Sequence, residues 1–175
     1  KKKETFAFDT ETTGLDVMTV DIVGLSISIE KGKGYYLPLN VEDEQTLSNL
    51  NLFKPLFEDE NLEKIGQNIK YDAHILANYD ISLKGKLFDT MLAHYLLQPD
   101  LKHGMDYLAE TYLGYTPISI TELIGKKGKN QLTFNTVSLE KQTEYAAEDA
   151  DITWQLSETF KPLCKEREVE NLLET

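Results

Sequence analysis

The stretch Thr5-Phe6-Ala7-Phe8-Asp9-Thr10-Glu11-Thr12-Thr13-Gly14 changes from an apolar pattern to a polar one within a few residues. Its first part, Thr5–Thr10, alternates in the way that predicts a β-strand. Asp9 and Glu11 are two residues apart at the strand's end, so both side chains point to one face. The flanking apolar residues predict that this strand is buried, where loose carboxylates are costly. We therefore expect a cation between the two acids; the alternative is a pair of solvated acids at a sheet edge.

The remaining pattern predicts an α/β fold with a mixed β-sheet flanked by helices. Strands come first and then alternate with helices, an order typical of an α/β sandwich. Further strands are predicted at residues 21–29, 35–38, 64–66 and 86–88. Helices are predicted at residues 47–57, 70–78, 91–97, 105–112, 119–124 and 138–159, and from Pro162 onward. Asn68, Asp89 or Thr90, and Ser138 occupy positions typical of helix N-caps.

Two further groups of residues carry chemistry. Asp72 follows a buried strand and lies in the first turn of a helix, where the helix dipole alone favours an acid. Tyr145 and Asp149 are four residues apart on the long helix and share one face. The intervening Ala146 and Ala147 keep that face narrow, so that another surface can approach it closely. Each signal is modest by itself, and their order along the chain makes them specific.

Composition limits the function classes. The 175 residues suit one domain, and 18 basic against 30 acidic residues give a net charge of −12. This charge argues against tight duplex binding by the chain alone, whereas clustered carboxylates suit a metal site. The single cysteine, Cys164, excludes an internal disulfide and a cysteine-rich zinc site, and fits a reducing, cytoplasmic setting. No apolar run approaches the roughly 20 residues of a membrane span, so we expect no membrane partner.

The motifs Asp9-x-Glu11, Asn68-x-x-x-Asp72 and Tyr145-x-x-x-Asp149 together resemble the three exonuclease motifs of the DEDD superfamily, tyrosine type. That superfamily has a ribonuclease H-like fold. The resemblance is strongest to the 3′→5′ proofreading exonuclease domain of bacterial DNA polymerase I, a polymerase of family A. It covers residues 6–11, 23–26, 54–56, 66–72, 75–79, 88–92, 128–134 and 145–151. Residues 40–52 and 98–104 match less well and are interpreted as variable loops.

The resemblance implies hydrolysis of the terminal phosphodiester at a single-stranded or frayed DNA 3′ end, with two divalent metal ions, Mg²⁺ or Mn²⁺, as cofactors. We expect Asp9 to bridge the ions. The resemblance implies that Glu11 and Asp149 complete one ion site and that Asp72 helps to hold the other. Tyr145 is expected to orient the nucleophile, because a phenol with a pKa near 10 is a poor general base at neutral pH.

Substrate contacts follow from the same resemblance. Leu15, Met91 and Phe134 are expected to wedge and stack the last bases, although ordinary core packing is the alternative for each. Thr10, Gln67, Asn68 and Tyr71 are expected to line the groove that holds the strand. Lys102 and the lysines of the loop 125–130 are candidates for backbone contacts, and a solvated turn is the alternative for the loop. The three histidines are too far apart along the chain to predict a cluster.

The chain ends without a helix stop signal, so we expect it to be one exonuclease domain, residues 1–175, within a longer polypeptide. The expected partners are a single-stranded DNA 3′ end and a covalently linked polymerase domain; we expect a monomer in the bacterial cytoplasm, associated with the nucleoid. Two alternatives remain. One is an RNA substrate, as in ribonuclease D, and the other is an inactive nuclease fold that serves as a binding module. The presence of all five motif residues argues against the second.

Overall fold

Strand β1 (Thr5–Thr12) is the centre of a five-stranded sheet in the computed structural model, which describes residues 4–40 and 42–173. The other strands are β2 (Ile22–Glu30), β3 (Lys33–Pro38), β4 (Glu63–Gly66) and β5 (Leu87–Asp89). Their order is β3-β2-β1-β4-β5. Strands β1 to β3 are antiparallel, whereas β4 and β5 run parallel to β1. The predicted mixed sheet is therefore confirmed.

Seven α-helices connect and cover these strands in the described residues. They are α1 (Glu44–Asn51), α2 (Lys54–Phe57), α3 (Ile69–Ala77), α4 (Thr90–Leu97), α5 (Met105–Leu108), α6 (Ile120–Ile124) and α7 (Leu139–Glu166). A π-helical turn (Ala109–Leu113) extends α5, and short 3₁₀ turns lie at Phe134–Thr136 and Glu170–Leu172. No helix among the described residues has the length and apolar character that crossing a bilayer requires.

The alternation of β1 divides the core into two layers. Phe6 and Phe8 face the layer of α1 to α3 and pack edge-on against Phe57, with ring centroids 5.6 and 5.0 Å away. Ala7 points to the other face, where the buried face of α7 covers the sheet. Because side chains alternate along a strand, Asp9 and Glu11 lie on the α7 side, at the end of β1 that follows this core.

The single helix predicted over residues 47–57 is wrong, because the structure has two. Helix α1 ends at Asn51, and α2 begins at Lys54 with Pro55 in its first turn. A proline ring clashes with the carbonyl of the residue four positions earlier, which here is Asn51. Pro55 therefore explains both the end of α1 and the start of α2.

The two helices predicted from Ser138 to Thr159 and from Pro162 onward are one continuous helix, α7. Pro162 is exposed, as is Glu158, whose carbonyl loses its helical partner. Phe160 and Cys164, on either side of the proline, are buried in the core against the sheet. Tertiary packing therefore outweighs the local cost of proline and carries the helix to Glu166.

Gly34 sets the close approach of β3 to α7. A Cβ atom at this position would lie 2.0 Å from the backbone oxygen of Ala147. We expect Gly34→Ala to lower the free energy of unfolding by about 2 kcal/mol, since the strand or helix must shift. Urea unfolding measures this. Gly104→Ala is the control, because nothing lies within 4 Å of its Cβ position; an equal loss in both variants would contradict the close-packing explanation.

Candidate active site

A cleft of about 510 Å³ opens where β1 and β4 end. Its floor comes from β1 and the turn that follows, and its sides come from the start of α3 and from the segment that contains α6. The lining residues are Asp9 to Leu15, Gln67, Asn68, Tyr71, Asp72, Ile120, Ile124, Gly128, Gln131 to Phe134, and Tyr145. The cleft therefore collects side chains from segments that are up to 136 residues apart in the sequence.

Three carboxylates converge at this cleft. Asp9 and Glu11 from β1 and Asp149 from α7 each offer an oxygen, and these oxygens all lie within 4.8 Å of one another. Tyr145 lies one helical turn before Asp149, and its hydroxyl is hydrogen-bonded to the Asp149 carboxylate. The face of α7 that carries Tyr145 and Asp149 therefore packs against the face of β1 that carries the two acids.

Asp72 joins this group from α3 and is anchored to β1. One oxygen of its carboxylate accepts hydrogen bonds from the backbone N–H and the hydroxyl of Thr10, at 3.0 and 2.6 Å. Asp72 is buried, and it is the acid whose charge raises the pKa of Asp9 most. It is not part of the 4.8 Å cluster. The charge of Asp72 nevertheless acts on the cluster, raising the pKa of both Asp9 and Glu11.

Burial raises the pKa of every one of these acids, and the charges of the other acids in the group raise those of Asp9 and Glu11 further. Loss of water contact is the main cause for each, and it raises the pKa of Glu11 to about 8 and those of Asp72 and Asp149 to about 7. The pKa of Asp9 is raised well above its usual range by burial, then by the charges of Asp72, Glu11 and Asp149. Hydrogen bonds from Thr10 and Tyr145 act in the opposite direction on Asp72 and Asp149. The net effect on each of the four acids is a raised pKa.

The residues present fit a bound divalent cation. The Oε1 atom of Glu11 is buried and has no hydrogen-bond partner among the described residues, although buried acceptors are ordinarily paired. No lysine or arginine is among the described residues that line the cleft. The side-chain atoms available to bind a metal ion in this cluster are carboxylate oxygens, which suit hard cations such as Mg²⁺ or Mn²⁺. A cation would satisfy Glu11 and offset the repulsion among the acids.

Asp89 holds the start of α3 in place. Its Oδ1 atom accepts from the backbone N–H groups of Met91, at 2.9 Å, and Leu92, at 3.2 Å, so it caps α4 as predicted. The same carboxylate accepts from the backbone N–H groups of Asn68, at 3.1 Å, and Ile69, at 2.8 Å. Two helix N-termini therefore share one buried carboxylate. This clamp fixes the helix that carries Asp72.

Asn68 occupies the predicted N-cap position of α3 but does not cap the helix with its side chain. Its backbone is left-handed, with φ of 62°, a conformation that asparagine tolerates better than most residues. Asp89, twenty-one residues later, supplies the acceptor instead. The side chain of Asn68 is thereby left to line the cleft.

Asp89→Asn is expected to lower the free energy of unfolding by about 2 kcal/mol, because an amide NH₂ would face the buried N–H of Ile69 in place of a charged acceptor. Urea unfolding measures the loss. Asp43→Asn is the matched control: Asp43 also caps a helix, by accepting from Gln45 N at 3.0 Å, but at an exposed site. Asn caps helices about as well as Asp, so little change is expected there. Equal losses would show that Asp89 is an ordinary cap.

The predicted substrate residues lie as follows. Thr10, Gln67, Asn68 and Tyr71 line the cleft, as do Leu15 and Phe134. Leu15 is 87 % exposed, whereas Phe134 is buried, with its ring centroid 5.7 Å from that of Tyr145. The Tyr71 hydroxyl donates to the backbone oxygen of Gly14 at 2.9 Å, which ties down the turn that carries Leu15. Met91, in the first turn of α4, is not among the lining residues.

Three apolar residues that the sequence patterns did not indicate lie on the far wall of the cleft: Ile120, Ile124 and Leu132. The histidines also correct an expectation, because His94 and His103 form a pair with their Nδ1 atoms 2.7 Å apart. Buried His94 also contacts the Tyr112 hydroxyl through Nε2, at 3.0 Å. The backbone oxygen of His103 accepts from Gln67 Nε2 at 2.8 Å, so the pair supports a residue of the cleft.

Comparisons with known proteins show which family and which fold the chain resembles. A family profile described as 3′-5′ exonuclease matches residues 1–165. DNA polymerase I of Pseudomonas aeruginosa is 40% identical over 169 residues, which cover 91% of this chain and 18% of that protein. DNA polymerase I of Borreliella burgdorferi is 37% identical over 176 residues, covering 99% of this chain and 19% of that protein. The chain thus spans about a fifth of the length of these relatives.

Among solved structures, NrnC of Brucella melitensis bound to pGG has a TM-score of 0.79 and 22% identity, covering 99% of this chain and 79% of that one. This likeness concerns the fold, and it confirms the ribonuclease H-like fold expected from the motifs. The family match and the two polymerase relatives extend over most of the chain. The chain therefore belongs to the 3′-5′ exonuclease family.

Proposed function

We propose that this chain removes nucleotides from the 3′ end of single-stranded or frayed DNA, as the proofreading domain of a bacterial DNA polymerase I. The observation that carries the proposal is the convergence of Asp9, Glu11 and Asp149 within 4.8 Å, at an open cleft that Asp9, Glu11 and Asp72 line. Such a group of acids is unfavourable without cations and suits phosphodiester hydrolysis with them.

Asp9, Glu11, Asp72 and Asp149 would hold the two divalent ions, Mg²⁺ or Mn²⁺, of this proposal. When bound, such ions supply charge stabilisation for the attacking and leaving oxygens of the phosphodiester. Thr10 holds the Asp72 carboxylate in one orientation, and Asp89 fixes the helix behind it. The acids are thus arranged before the ions and the substrate arrive, which limits the reorganisation needed during the reaction.

Tyr145 orients the attacking water in this proposal. Burial and the neighbouring carboxylates raise its pKa, so the phenol stays protonated at neutral pH and does not act as a general base. The hydroxyl is hydrogen-bonded to Asp149, and its remaining lone pairs can accept a hydrogen bond from water. The adjacent ring of Phe134 restricts the movement of the tyrosine ring.

The shape of the cleft favours an unpaired end. The carboxylates lie at its floor, so the terminal phosphodiester reaches them only if its nucleotide leaves the duplex. A mismatched end unpairs most easily, and this supplies selectivity without any reading of sequence. Exposed Leu15 stands at the edge of the cleft, where an apolar side chain can separate the last two bases.

The decisive experiment uses a 5′-labelled single-stranded DNA oligonucleotide incubated with Mg²⁺. A ladder that shortens from the 3′ end is expected, and chelator or Asp149→Ala should abolish it. A matched RNA oligonucleotide tests the ribonuclease alternative. If the RNA oligonucleotide is hydrolysed faster than the DNA oligonucleotide, the substrate is RNA rather than DNA. An intact DNA oligonucleotide at high protein concentration would favour the binding-module alternative instead.

The context of the chain is part of the proposal. As a domain of a bacterial DNA polymerase I it would act as a monomer in the cytoplasm, at the nucleoid, covalently linked to a polymerase domain that presents frayed ends. The two polymerase relatives, of which the chain matches about a fifth, support the linkage to a polymerase domain. The net charge of −12 also suits a domain that receives DNA from a partner domain rather than binding duplex by itself.

A further inference from the structure

The loop after α6 carries, in six positions of a strongly acidic chain, three lysines and no acidic residue. Residues 125–130 read Gly-Lys-Lys-Gly-Lys-Asn, and no acidic residue occurs between Glu122 and Glu140. Lys126, Lys127 and Lys129 are all exposed. In a chain with a net charge of −12, this cluster is a local reversal of sign. We call residues 125–130 the basic lip.

The basic lip is a closed loop with both ends at the cleft. It follows Ile124, and Leu132 N donates to the backbone oxygen of Ile124 at 2.9 Å. Gln131 N donates to the oxygen of Gly128 at 3.1 Å, which closes the tip. Ile124, Gly128, Gln131 and Leu132 all line the cleft. The three lysines are therefore held at the rim of the cleft, above the acidic floor.

The carboxylates on the floor of the cleft and the lysines at its rim are suited to different parts of a nucleic acid strand. Among the described lining residues there is no lysine or arginine, so the cleft itself offers no cationic side chain to a phosphate. A strand with its 3′ end at the carboxylates must leave the cleft over its rim. The lysines there are available to phosphates, and Leu132, 54 % exposed, is available to a base.

We propose that the basic lip binds the phosphates of the nucleotides that precede the terminal one, so that the chain prefers strands of several nucleotides to dinucleotides. This inference rests on the proposed function, since it places the strand's 3′ end at the cluster of acids. It adds a second zone of contact, electrostatic and independent of sequence, to the cleft that holds the end.

The test compares two triple variants with equal change of charge. K126Q/K127Q/K129Q removes the three positive charges of the basic lip. K31Q/K84Q/K165Q removes three positive charges from exposed lysines elsewhere. Lys31 lies in the β2–β3 turn and Lys84 precedes β5, so both are at the opposite end of the sheet from the acids. Lys165 is 16 residues beyond Asp149 on α7, about 24 Å along the helix.

Binding of a 5′-fluorescein ten-nucleotide DNA strand is measured by fluorescence anisotropy in chelator, at several salt concentrations. The lip variant should bind about tenfold more weakly at low salt, and its slope of log affinity against log salt should be smaller by about 2. The control should keep the slope of the unmodified chain. Equal losses of affinity and slope in both variants would overturn the proposal, since net charge alone would then explain them.

Hydrolysis gives an independent readout. With Mg²⁺, the ratio of kcat/KM for the ten-nucleotide strand to that for a deoxydinucleotide should fall about tenfold in the lip variant, through KM of the longer strand. An unchanged ratio would overturn the proposal. Absence of hydrolysis by the unmodified chain would contradict the proposed function, whereas the anisotropy comparison would still decide whether the lip binds DNA. Equal urea unfolding of the two variants verifies that both are folded.

Discussion

Asp9→Asn is expected to reduce the rate of 3′-end hydrolysis about a thousandfold or more, and to stabilise the metal-free protein at and above neutral pH. Asp9 is the acid whose pKa is raised by three neighbouring carboxylates as well as by burial. An amide keeps the shape of the side chain but cannot carry the charge that a shared cation requires. In chelator the same change removes repulsion among the acids, so activity and stability should move in opposite directions.

Two measurements test this expectation. Single-turnover hydrolysis of the labelled oligonucleotide gives the rate, and urea unfolding in chelator at pH 8 gives the stability. Asp100→Asn, at an exposed residue of the loop after α4, is the control and should change neither. A variant that loses activity together with stability would indicate that Asp9 acts mainly in the fold. A variant that keeps its activity would remove Asp9 from the site.

Sequence patterns predict those features of the site that depend on a single strand or a single helix. The alternation of β1 places Asp9 and Glu11 on one face, and the helical spacing of Tyr145 and Asp149 places them on another. Both faces are as predicted, and they meet in the structure because α7 covers the side of β1 to which Ala7 points. Their meeting depends on sheet order, which the residues of neither element encode alone.

The features that pattern does not predict join residues distant in the chain. Asp89 reads as a cap for α4, and its bonds to Asn68 and Ile69 depend on the parallel pairing of β4 with β5. The contact between His94 and His103 likewise depends on how the loop after α4 folds back. These bonds arise from tertiary structure, and no spacing or propensity signals them.

The continuity of α7 is a further feature that tertiary packing determines and local sequence does not predict. Proline at position 162 is locally unfavourable in a helix interior, and it predicts a break. The buried side chains of Phe160 and Cys164 lie on both sides of it and pack against the sheet, while the proline itself is exposed. Local propensity sets the cost of a continuous helix, and burial decides the outcome.

In chelator, the free energy of unfolding is expected to fall as the pH rises from about 5 to about 8. Unfolded carboxyl groups release their protons near pH 4, whereas the fold raises the pKa of Glu11 to about 8 and those of Asp72 and Asp149 to about 7. Between these limits the folded chain binds protons that the unfolded chain has lost. Stability is therefore lost with rising pH, by up to about 1.4 kcal/mol per pH unit for each proton.

Divalent cations should reverse this trend, because they bind the deprotonated carboxylates of the folded chain. Urea unfolding at pH 6, 7 and 8, in chelator and in saturating Mg²⁺ or Mn²⁺, measures both slopes. The stabilisation by metal should grow with pH, and Glu11→Gln should flatten the slope seen in chelator because it removes one of the titrating acids. A metal-free stability that does not change between pH 6 and 8 would mean that the acids are already ionised without cations. The repulsion that links the fold to metal binding would then be absent.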